Sequence, residues 1–483
     1  MFDVGVVLVV LFLLMYLAYL GYSLLLLAPG LALLAALLTG GLPILAAYTK
    51  IFMTNAGDFI VAFFPLFMLG AIFGKLMDDT GSAKSLAHSV SAWLGPQRAI
   101  VSVVLCCAVL TYGGVSAFVV AFAIYPVAAA LFRGAGIPKR LIPGALALGA
   151  FSFTMSALPG SPAIQNAIPM PFFGTTAFAA PGLGILASVV MFVLGMLWLN
   201  RRAAQARAAG EGYGTHDDAI PQPDVVMREH AQQESFDIAE LAERPDNSNL
   251  PSFAVALLPV LIVIVVNFAF IEIVLPRMDT SYLAKPLFGE TTIEGVRGIW
   301  AVIVALFLAI VVLIACNWRR LSDLKASLDK GADASVLPIF NTASLVGFGA
   351  IIAALPVFDR ISDAVMSVGG NNPLISVATA VAALSGMTGS ASGGMSIALD
   401  ALGSTFVEMA RVAGVSLEAM HRITALASGS LDVLPHNGAI ITLLAVCKLT
   451  HRQSYGDIFI VASAVPLITT ILIIIVASLF GSF

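Results

Sequence analysis

The chain has 483 residues, of which 59% are hydrophobic and 11% charged, with a net charge of −4. Its mean hydropathy of +0.98 is far above that of a soluble globular protein, so the composition argues against a soluble enzyme or binding domain. No basic patch with interleaved aromatic residues occurs, which argues against nucleic acid as a partner. An integral membrane protein is therefore expected, with the lipid bilayer as its surroundings.

The apolar residues form long blocks, which predict membrane-spanning α-helices and not the short alternating strands of a barrel. Spans are predicted at 3–20, 23–40, 57–77, 140–172, 178–199, 251–276, 296–316, 336–357, 417–447 and 457–480. The first two blocks are separated only by residues 21–23. One long tilted helix, followed by a shorter one from Pro29, is therefore an alternative for this region.

Two further blocks, 99–131 and 374–411, are too long for one span and contain glycine clusters. Each arm is too short to cross a bilayer comfortably, so both blocks are predicted to be re-entrant hairpins. The spans 140–172 and 417–447 each contain a Leu-Pro turn and are predicted to be broken helices.

Residues 200–250 are the most polar part of the chain and contain ten acidic residues against five arginines. They predict a flexible cytoplasmic linker with a short surface helix at 225–241. With this linker inside, 17 Lys and Arg residues fall on the inner side and 7, including Arg422, on the outer side. This asymmetry agrees with the positive-inside rule and places both termini outside.

The segment 158–164 (LPGSPAI) recurs as 434–440 (LPHNGAI), with four identities in seven positions. The halves 1–199 and 251–483 each then have five full crossings, and an odd number inverts the second half relative to the first. The predicted fold class is an all-α polytopic membrane protein with two inverted repeats, each containing a re-entrant hairpin and a broken helix. Such repeats are typical of secondary transporters.

The four interruptions at corresponding positions predict a binding site, because unwound backbone at membrane depth needs protein, water or a ligand as its partner. Helix N-termini there suit a carboxylate, and hydroxyl and amide groups suit its oxygens. No Lys or Arg lies in the middle of a predicted span, so an anion would be bound by dipoles and hydroxyls. The candidate substrate-binding residues are Tyr112, Gly113, Gly114, Ser116, Ser156, Gly160, Ser161, Gln165, Asn166, Ser390, Ser392, Gly393, Gly394 and Asn437.

Asp432 and His436 lie in the second broken segment and are the candidates for ion coupling. A buried carboxylate and an imidazole can take up and release a proton, whereas the alternative is a polar cap on the Leu-Pro turn. Other acids near apolar spans are assigned structural roles, with Glu408 expected to pair with Arg411. The four cysteines lack metal-ligand or redox spacing, so neither a metal nor a cofactor is expected.

The stretches 428–438 (SGSLDVLPHNG) and 389–394 (GSASGG) resemble the gluconate permease family, and most closely its 3-hydroxybutyrate permeases. The resemblance implies cation-coupled uptake of a small hydroxy-monocarboxylate, such as 3-hydroxybutyrate or gluconate, across a bacterial inner membrane. It also implies a homodimer whose hairpins and broken helices move as an elevator against a scaffold. The segment 155–162 differs from that of gluconate-type members, which counts against gluconate itself.

The leading hypothesis is a symporter of a carboxylate with H+ or Na+, with H+ favoured on family grounds. An intramembrane hydrolase using Ser430 with His436, or Asp432 with a second acid, lacks any accompanying catalytic motif. We therefore expect no enzyme activity. A third hypothesis is an ion-only antiporter or channel without an organic substrate.

Overall fold

A computed structural model describes residues 2–20, 22–216, 218, 250–370 and 372–483 of the chain. These residues form helices and turns, with no strand among them. Within these ranges, six helices are long and apolar enough to cross a membrane: Ile44–Asp79, Pro181–Ala208, Phe253–Arg277, Ile293–Asn317, Leu324–Ala354 and His451–Phe480. The predicted all-α polytopic membrane protein is thereby confirmed at the level of fold class.

The helices are numbered here in chain order. They are α1 (Phe2–Tyr19), α2 (Leu24–Thr39), α3 (Ile44–Asp79), α4 (Ser82–Leu94), α5 (Ala99–Tyr112), α6 (Ala117–Gly134), α7 (Ile142–Ala150), α8 (Phe153–Ser156), α9 (Ile164–Ala167), α10 (Pro169–Phe173), α11 (Pro181–Ala208), α12 (Phe253–Arg277), α13 (Ile293–Asn317), α14 (Leu324–Ala354), α15 (Phe358–Gly369), α16 (Pro373–Thr388), α17 (Ala391–Ala413), α18 (Leu417–Ser428), α19 (Gly438–Val446) and α20 (His451–Phe480). Single 3-10 turns lie at Pro96–Arg98, Lys139–Leu141, Ser281–Ala284 and Pro286–Phe288.

The helices extend beyond several predicted spans. The third span was expected at 57–77, but α3 begins at Ile44. The polar residues Thr49 and Asn55 do not end it, because their side chains donate hydrogen bonds to the carbonyls of Leu45 (2.7 Å) and Ile51 (2.7 Å) one turn earlier. Near the N-terminus, α1 and α2 are separate helices, and the side chain of Ser23 caps the second.

The two blocks with glycine clusters each form a pair of packed helices. Helices α5 and α6 are joined by residues 113–116, called here the first tip, and α16 and α17 by Gly389 and Ser390, the second tip. That each pair enters and leaves the membrane on one side stays a prediction.

The two Leu-Pro segments interrupt helices. Residues 157–163, the first break, lie between α8 and α9, and residues 429–437, the second break, lie between α18 and α19. Proline lacks a backbone N–H and disfavours a helical residue before it, so Pro159, Pro162 and Pro435 oppose a continuous helix here.

The long helices α3 and α14 pack against each other in opposite directions. Gly331, near the start of α14, lies against Ile72, near the end of α3, and Gly347 lies against Phe52 at the opposite ends. A Cβ at Gly331 would come within 2.8 Å of the Ile72 Cα atom. These glycines let the two backbones approach closely, as small residues do between membrane helices.

Part of the polar central segment is helical or tied to the helical body. Its first residues continue α11 to Ala208, and Glu211 then accepts two hydrogen bonds of 2.8 Å from Arg140. These bonds hold the pKa of the Glu211 carboxyl below its usual value. Asp218 pairs with Arg133 and, at 3.1 Å, with Lys139. The predicted surface helix at 225–241 lies outside the described residues.

Candidate functional site

A cavity of about 140 Å³ lies where the first tip, both breaks, α3 and α14 meet. Most of its lining is apolar or glycine. The polar residues that line it are Thr111, Ser116, Gln165, Ser335, Asp432 and Asn437. The cavity therefore joins interrupted segments from both halves of the chain, and no Lys or Arg lies among the residues that line it.

Asp432 is the acidic residue of this lining, and its side chain is 3% exposed. Its Oδ1 atom has no hydrogen-bond partner among the described residues, and neither has the buried Thr111 Oγ1 on the same cavity. Helical threonines of this chain commonly donate to the carbonyl four residues earlier, as Thr342 of α14 does to Pro338 at 3.1 Å. Burying unpaired polar atoms is costly, so these two atoms are available for a water molecule or a ligand.

Two helices begin at the cavity. Ser116 and Ala117 at the start of α6 line it, as do Asn437 and Ala439 around the start of α19. Helix N-termini present unpaired N–H groups and a partial positive charge, which favours an anion. The start of α19 is held by Asn437, whose Oδ1 accepts from Ile440 N (3.0 Å).

The Asn437 amide also ties the second break to the second tip. Its Nδ2 donates to the carbonyls of Asp432 (2.7 Å) and Gly389 (2.8 Å). The backbone that carries the Asp432 carboxylate is thereby fixed at the edge of the cavity.

Of the residues predicted from the sequence, the structure brings Gly114, Ser116, Gln165, Asn437 and Asp432 together at the cavity. Gly114 has φ +94, a left-handed conformation that favours glycine, and lies against Pro162 of the first break.

Five other candidates of the first half have partners within the protein. The Tyr112 hydroxyl donates to Pro159 O (2.7 Å), and Ser156 donates to Ser152 O (3.2 Å). Gly160 N donates to Ala177 O (2.8 Å), and the Ser161 hydroxyl accepts from Ala163 N (3.3 Å). Gly113 packs against Val260 of α12. These contacts shape the first tip and the first break.

The candidates of the second tip lie away from the cavity lining. The Ser390 hydroxyl caps α17 by accepting from Gly393 N (3.1 Å) and lies 3.3 Å from that of Ser392. Gly393 packs against Leu345, and Gly394 against the backbone of Ser385. Because Gly393 and Gly394 have no side chains, the two helices of the second hairpin and α14 can pack closely here.

Asp432 and His436 face different surroundings. The His436 imidazole lies against Gly386 and Gly389 of the second hairpin and is not among the residues that line the cavity. Ser430 donates to Ala427 O (2.6 Å) and not to His436. The expected pair of Glu408 with Arg411 is confirmed, at 3.6 Å.

The last predicted residue, Asn166, belongs to a buried cluster that the sequence interpretation missed. Its Oδ1 accepts from Arg422 Nη1 (3.1 Å) and lies 3.2 Å from His421 Nε2, while its Nδ2 donates to the carbonyls of Ser161 and Ala177 (both 2.9 Å). The sequence interpretation counted Arg422 among the cations of the outer side, and the structure shows that this side chain is fully buried within the protein. Glu418 and His421 are close to it in α18, so the local sequence does not distinguish this buried arginine from a charge at a membrane edge.

Comparison with known proteins identifies the family. Residues 162–434, which extend from the first break into the second, match the Na+/H+ antiporter family. The chain is also similar to the uncharacterized transporter YxjC of Bacillus subtilis (strain 168), with 44% identity over 486 residues, covering 99% of each chain.

These findings correct the family suggested by the sequence motifs. The resemblance to the gluconate permease family was wrong, because the matched family is a different one and covers more than half of the chain. The short glycine- and serine-rich motifs that carried it satisfy general requirements of helix breaks. The homodimer was expected only from that resemblance, so this expectation no longer has support. The protein is a transporter and not an enzyme, and it belongs to the Na+/H+ antiporter family.

Proposed function

We propose that this protein is a cation-coupled carrier of a small hydroxy-carboxylate and that Asp432 binds the coupling cation. The observation that carries the proposal is the buried Oδ1 of Asp432, which faces the cavity without a partner among the described residues. A proton or Na+ on this carboxylate would satisfy it. The name of the family includes both ions.

Electrostatics explains why the two ligands would bind together. The starts of α6 and α19 attract an anion into the cavity, but an ionised Asp432 on the same wall repels it. Two like charges about 4 Å apart repel by roughly 4 kcal/mol at an effective dielectric constant near 20. A cation on Asp432 removes this repulsion, so the anion and the cation favour each other's binding, as symport requires.

The cavity size supports a small substrate. An engineered cavity of about 150 Å³ in another protein accommodates benzene, a molecule of roughly six non-hydrogen atoms. The cavity of about 140 Å³ observed here suits a hydroxy acid of similar size, such as 3-hydroxybutyrate or lactate. Gluconate is about twice as large, so the cavity argues against it.

We further propose that the two halves are inverted repeats that move the site by alternating access. The supporting observations are that α3 and α14 begin at Ile44 and Leu324, 280 residues apart, and that these two helices run in opposite directions. The hairpins and broken segments would move together against α3 and α14, as an elevator, in a bacterial inner membrane.

A second candidate is Na+/H+ exchange without an organic substrate. The family description favours it, as does a cavity with one carboxylate that could bind H+ and Na+ in turn. Here the helix N-termini would be solvated by water in place of a carboxylate.

Proteoliposomes containing the purified protein distinguish these functions. We would measure uptake of labelled 3-hydroxybutyrate, lactate and gluconate under an inward pH gradient, with and without Na+, and Na+/H+ exchange in the absence of any acid. Asp432→Asn is the test variant and Glu408→Gln, which removes an exposed carboxylate, is its control. We expect cation-driven uptake of a small acid that is lost only in Asp432→Asn.

Each outcome decides between the candidates. Na+/H+ exchange without uptake of any acid would replace the carrier with the second candidate. Uptake that remains gradient-driven in Asp432→Asn would exclude this carboxylate as the coupling group.

A further inference from the structure

Arg422 lies in α18 and binds a non-helical segment of the other half of the chain. Residues 174–180, which join α10 to α11, are called here the strap. The guanidinium donates to Ala179 O from Nη2 (2.7 Å) and Nε (3.1 Å), and to Ala177 O from Nη2 (3.3 Å). A buried irregular backbone must find such partners, so Arg422 satisfies carbonyls that lipid could not.

The same guanidinium holds Asn166. With two accepted and two donated hydrogen bonds, the Asn166 amide uses its full capacity within the protein. Since Asn166 Oδ1 can only accept, His421 Nε2 carries the proton and His421 Nδ1 accepts from Thr175 Oγ1 (2.6 Å). Thr175 lies on the strap. Helix α18 therefore binds the strap through hydrogen bonds of both His421 and Arg422.

Asn166 is the neighbour of Gln165, which lines the cavity. Both belong to α9, a single turn of four residues that is too short to be stable alone. The direction of the Gln165 side chain therefore depends on what holds Asn166. Arg422 itself does not line the cavity.

We propose that Arg422 is a positioning residue that fastens the first break, through Asn166, to the second half of the chain and so fixes Gln165 at the cavity that Asp432 also lines. The contact makes the two broken segments one rigid unit, which a site shared between both halves requires. A lysine keeps the charge but lacks the planar fork that reaches Asn166 and two carbonyls at once.

The first test needs no substrate and measures how strongly Arg422 stabilises residues 161–180. We would follow hydrogen exchange by mass spectrometry in purified Arg422→Lys, comparing peptides from residues 161–180 with reference peptides from α12 and α13. We expect at least about tenfold faster exchange in residues 161–180 and no change in the reference peptides, because only the former lose partners.

The second test measures flux and rests on the proposed function. In Arg422→Lys we expect the KM of the transported species to rise about tenfold while Vmax changes little, because the site is misplaced but intact. Arg297→Gln is the matched control. Arg297 donates to Gly174 O (2.7 Å) on the same strap, from α13, and contacts neither Asn166 nor Ala177. We expect its KM to remain as in the wild type.

The proposal is overturned if Arg422→Lys leaves exchange in residues 161–180 unchanged, or if Arg297→Gln raises KM equally. If no acid is transported, the exchange measurement still decides, so failure of the proposed function is recognised separately. Should Arg422→Lys not fold, Asn166→Ala breaks the same contact from the other side and is expected to accelerate exchange in the same peptides.

Discussion

At the scale of single residues, neighbours in the sequence have divergent roles. Gln165 lines the cavity, whereas the adjacent Asn166 is wholly engaged by Arg422, His421 and two carbonyls. The residue types are equally suited to a polar ligand. Their different surroundings arise because adjacent residues on a helical turn point in directions about 100° apart.

Substitution of Thr111 tests whether its hydroxyl helps Asp432 to bind the coupling cation, a set of two groups called here the cation subsite. In Thr111→Val we expect the KM of the coupling cation to rise about two- to tenfold, because one oxygen partner facing the cavity is replaced by a methyl group. Thr111→Ser keeps the hydroxyl and is expected to behave as the wild type. The measurement is the initial uptake rate in proteoliposomes as a function of H+ or Na+ concentration. An unchanged cation KM in Thr111→Val would remove Thr111 from this subsite.

Gly394 tests the packing of the second hairpin. A Cβ at this position would collide with the backbone of Ser385, which cannot move aside without distorting α16. We expect Gly394→Ala to lower stability by about 1–3 kcal/mol, measured as a lower melting temperature of the purified protein. Gly456→Ala, in α20, meets nothing within 4 Å and is expected to be neutral or stabilising. Equal melting temperatures for the two variants would contradict this account.

At the scale of helices, Asp457 joins three elements on the predicted cytoplasmic side. This buried carboxylate of α20 accepts hydrogen bonds from Trp198 Nε1 (3.0 Å) and Arg202 Nε (2.8 Å) of α11, and lies 3.5 Å from Arg140 Nη1 before α7. A buried carboxylate needs such donors, because burying its charge alone is costly.

Asp457→Asn is expected to lower the free energy of unfolding by about 2–3 kcal/mol, since the buried acceptor of two partly exposed arginines loses its charge. The exposed Glu211, which also pairs with Arg140, provides the control. Glu211→Gln is expected to cost less than about 1 kcal/mol. Thermal unfolding of both purified variants measures the difference, and equal effects would mean that burial of Asp457 is unimportant.

The Glu211 pair also has a defined pH dependence. Because Arg140 lowers the pKa of Glu211 in the folded protein, the pair stabilises the protein at neutral pH. Its contribution is lost as the pH falls through the lowered pKa. We therefore expect the small difference between the wild type and Glu211→Gln to vanish on acidification. A difference that grows at low pH would contradict this sign.

At the scale of the whole molecule, the two halves contact each other at several places, and two of these contacts involve elements that build the site. The long helices α3 and α14 pack against each other in opposite directions, and Arg422 of the second half donates hydrogen bonds to the strap of the first half. The cavity is lined by residues from both halves. A site of this kind forms only when the two halves have assembled.

The predicted orientation can be tested by labelling cysteines in intact cells. With the exposed Cys316 replaced by serine, the remaining native cysteines are buried. Lys285→Cys, in the loop before α13, is expected to react with a membrane-impermeant thiol reagent from outside. Arg207→Cys, near the end of α11, should react only after the cells are opened. The reverse pattern would invert the proposed topology.

The helical class and the positions of the interruptions could be read from the sequence, because lipid requires long apolar helices and proline prevents their continuation. Gly114, Ser116 and Asn437 were identified in this way. The fully engaged Asn166 and the buried Arg422 could not be recognised, since their partners lie up to 256 residues away.

The sequence by itself determined that this chain is a polytopic helical membrane protein interrupted by polar, glycine-rich segments, because these features follow from local composition. Only the tertiary structure decided which interruptions meet. It placed Asp432 and Thr111 on one cavity, left His436 against the second tip, and buried Arg422 between the halves. The physical reason is that burial and hydrogen-bond pairing depend on distant segments, whose approach is a property of the packed molecule.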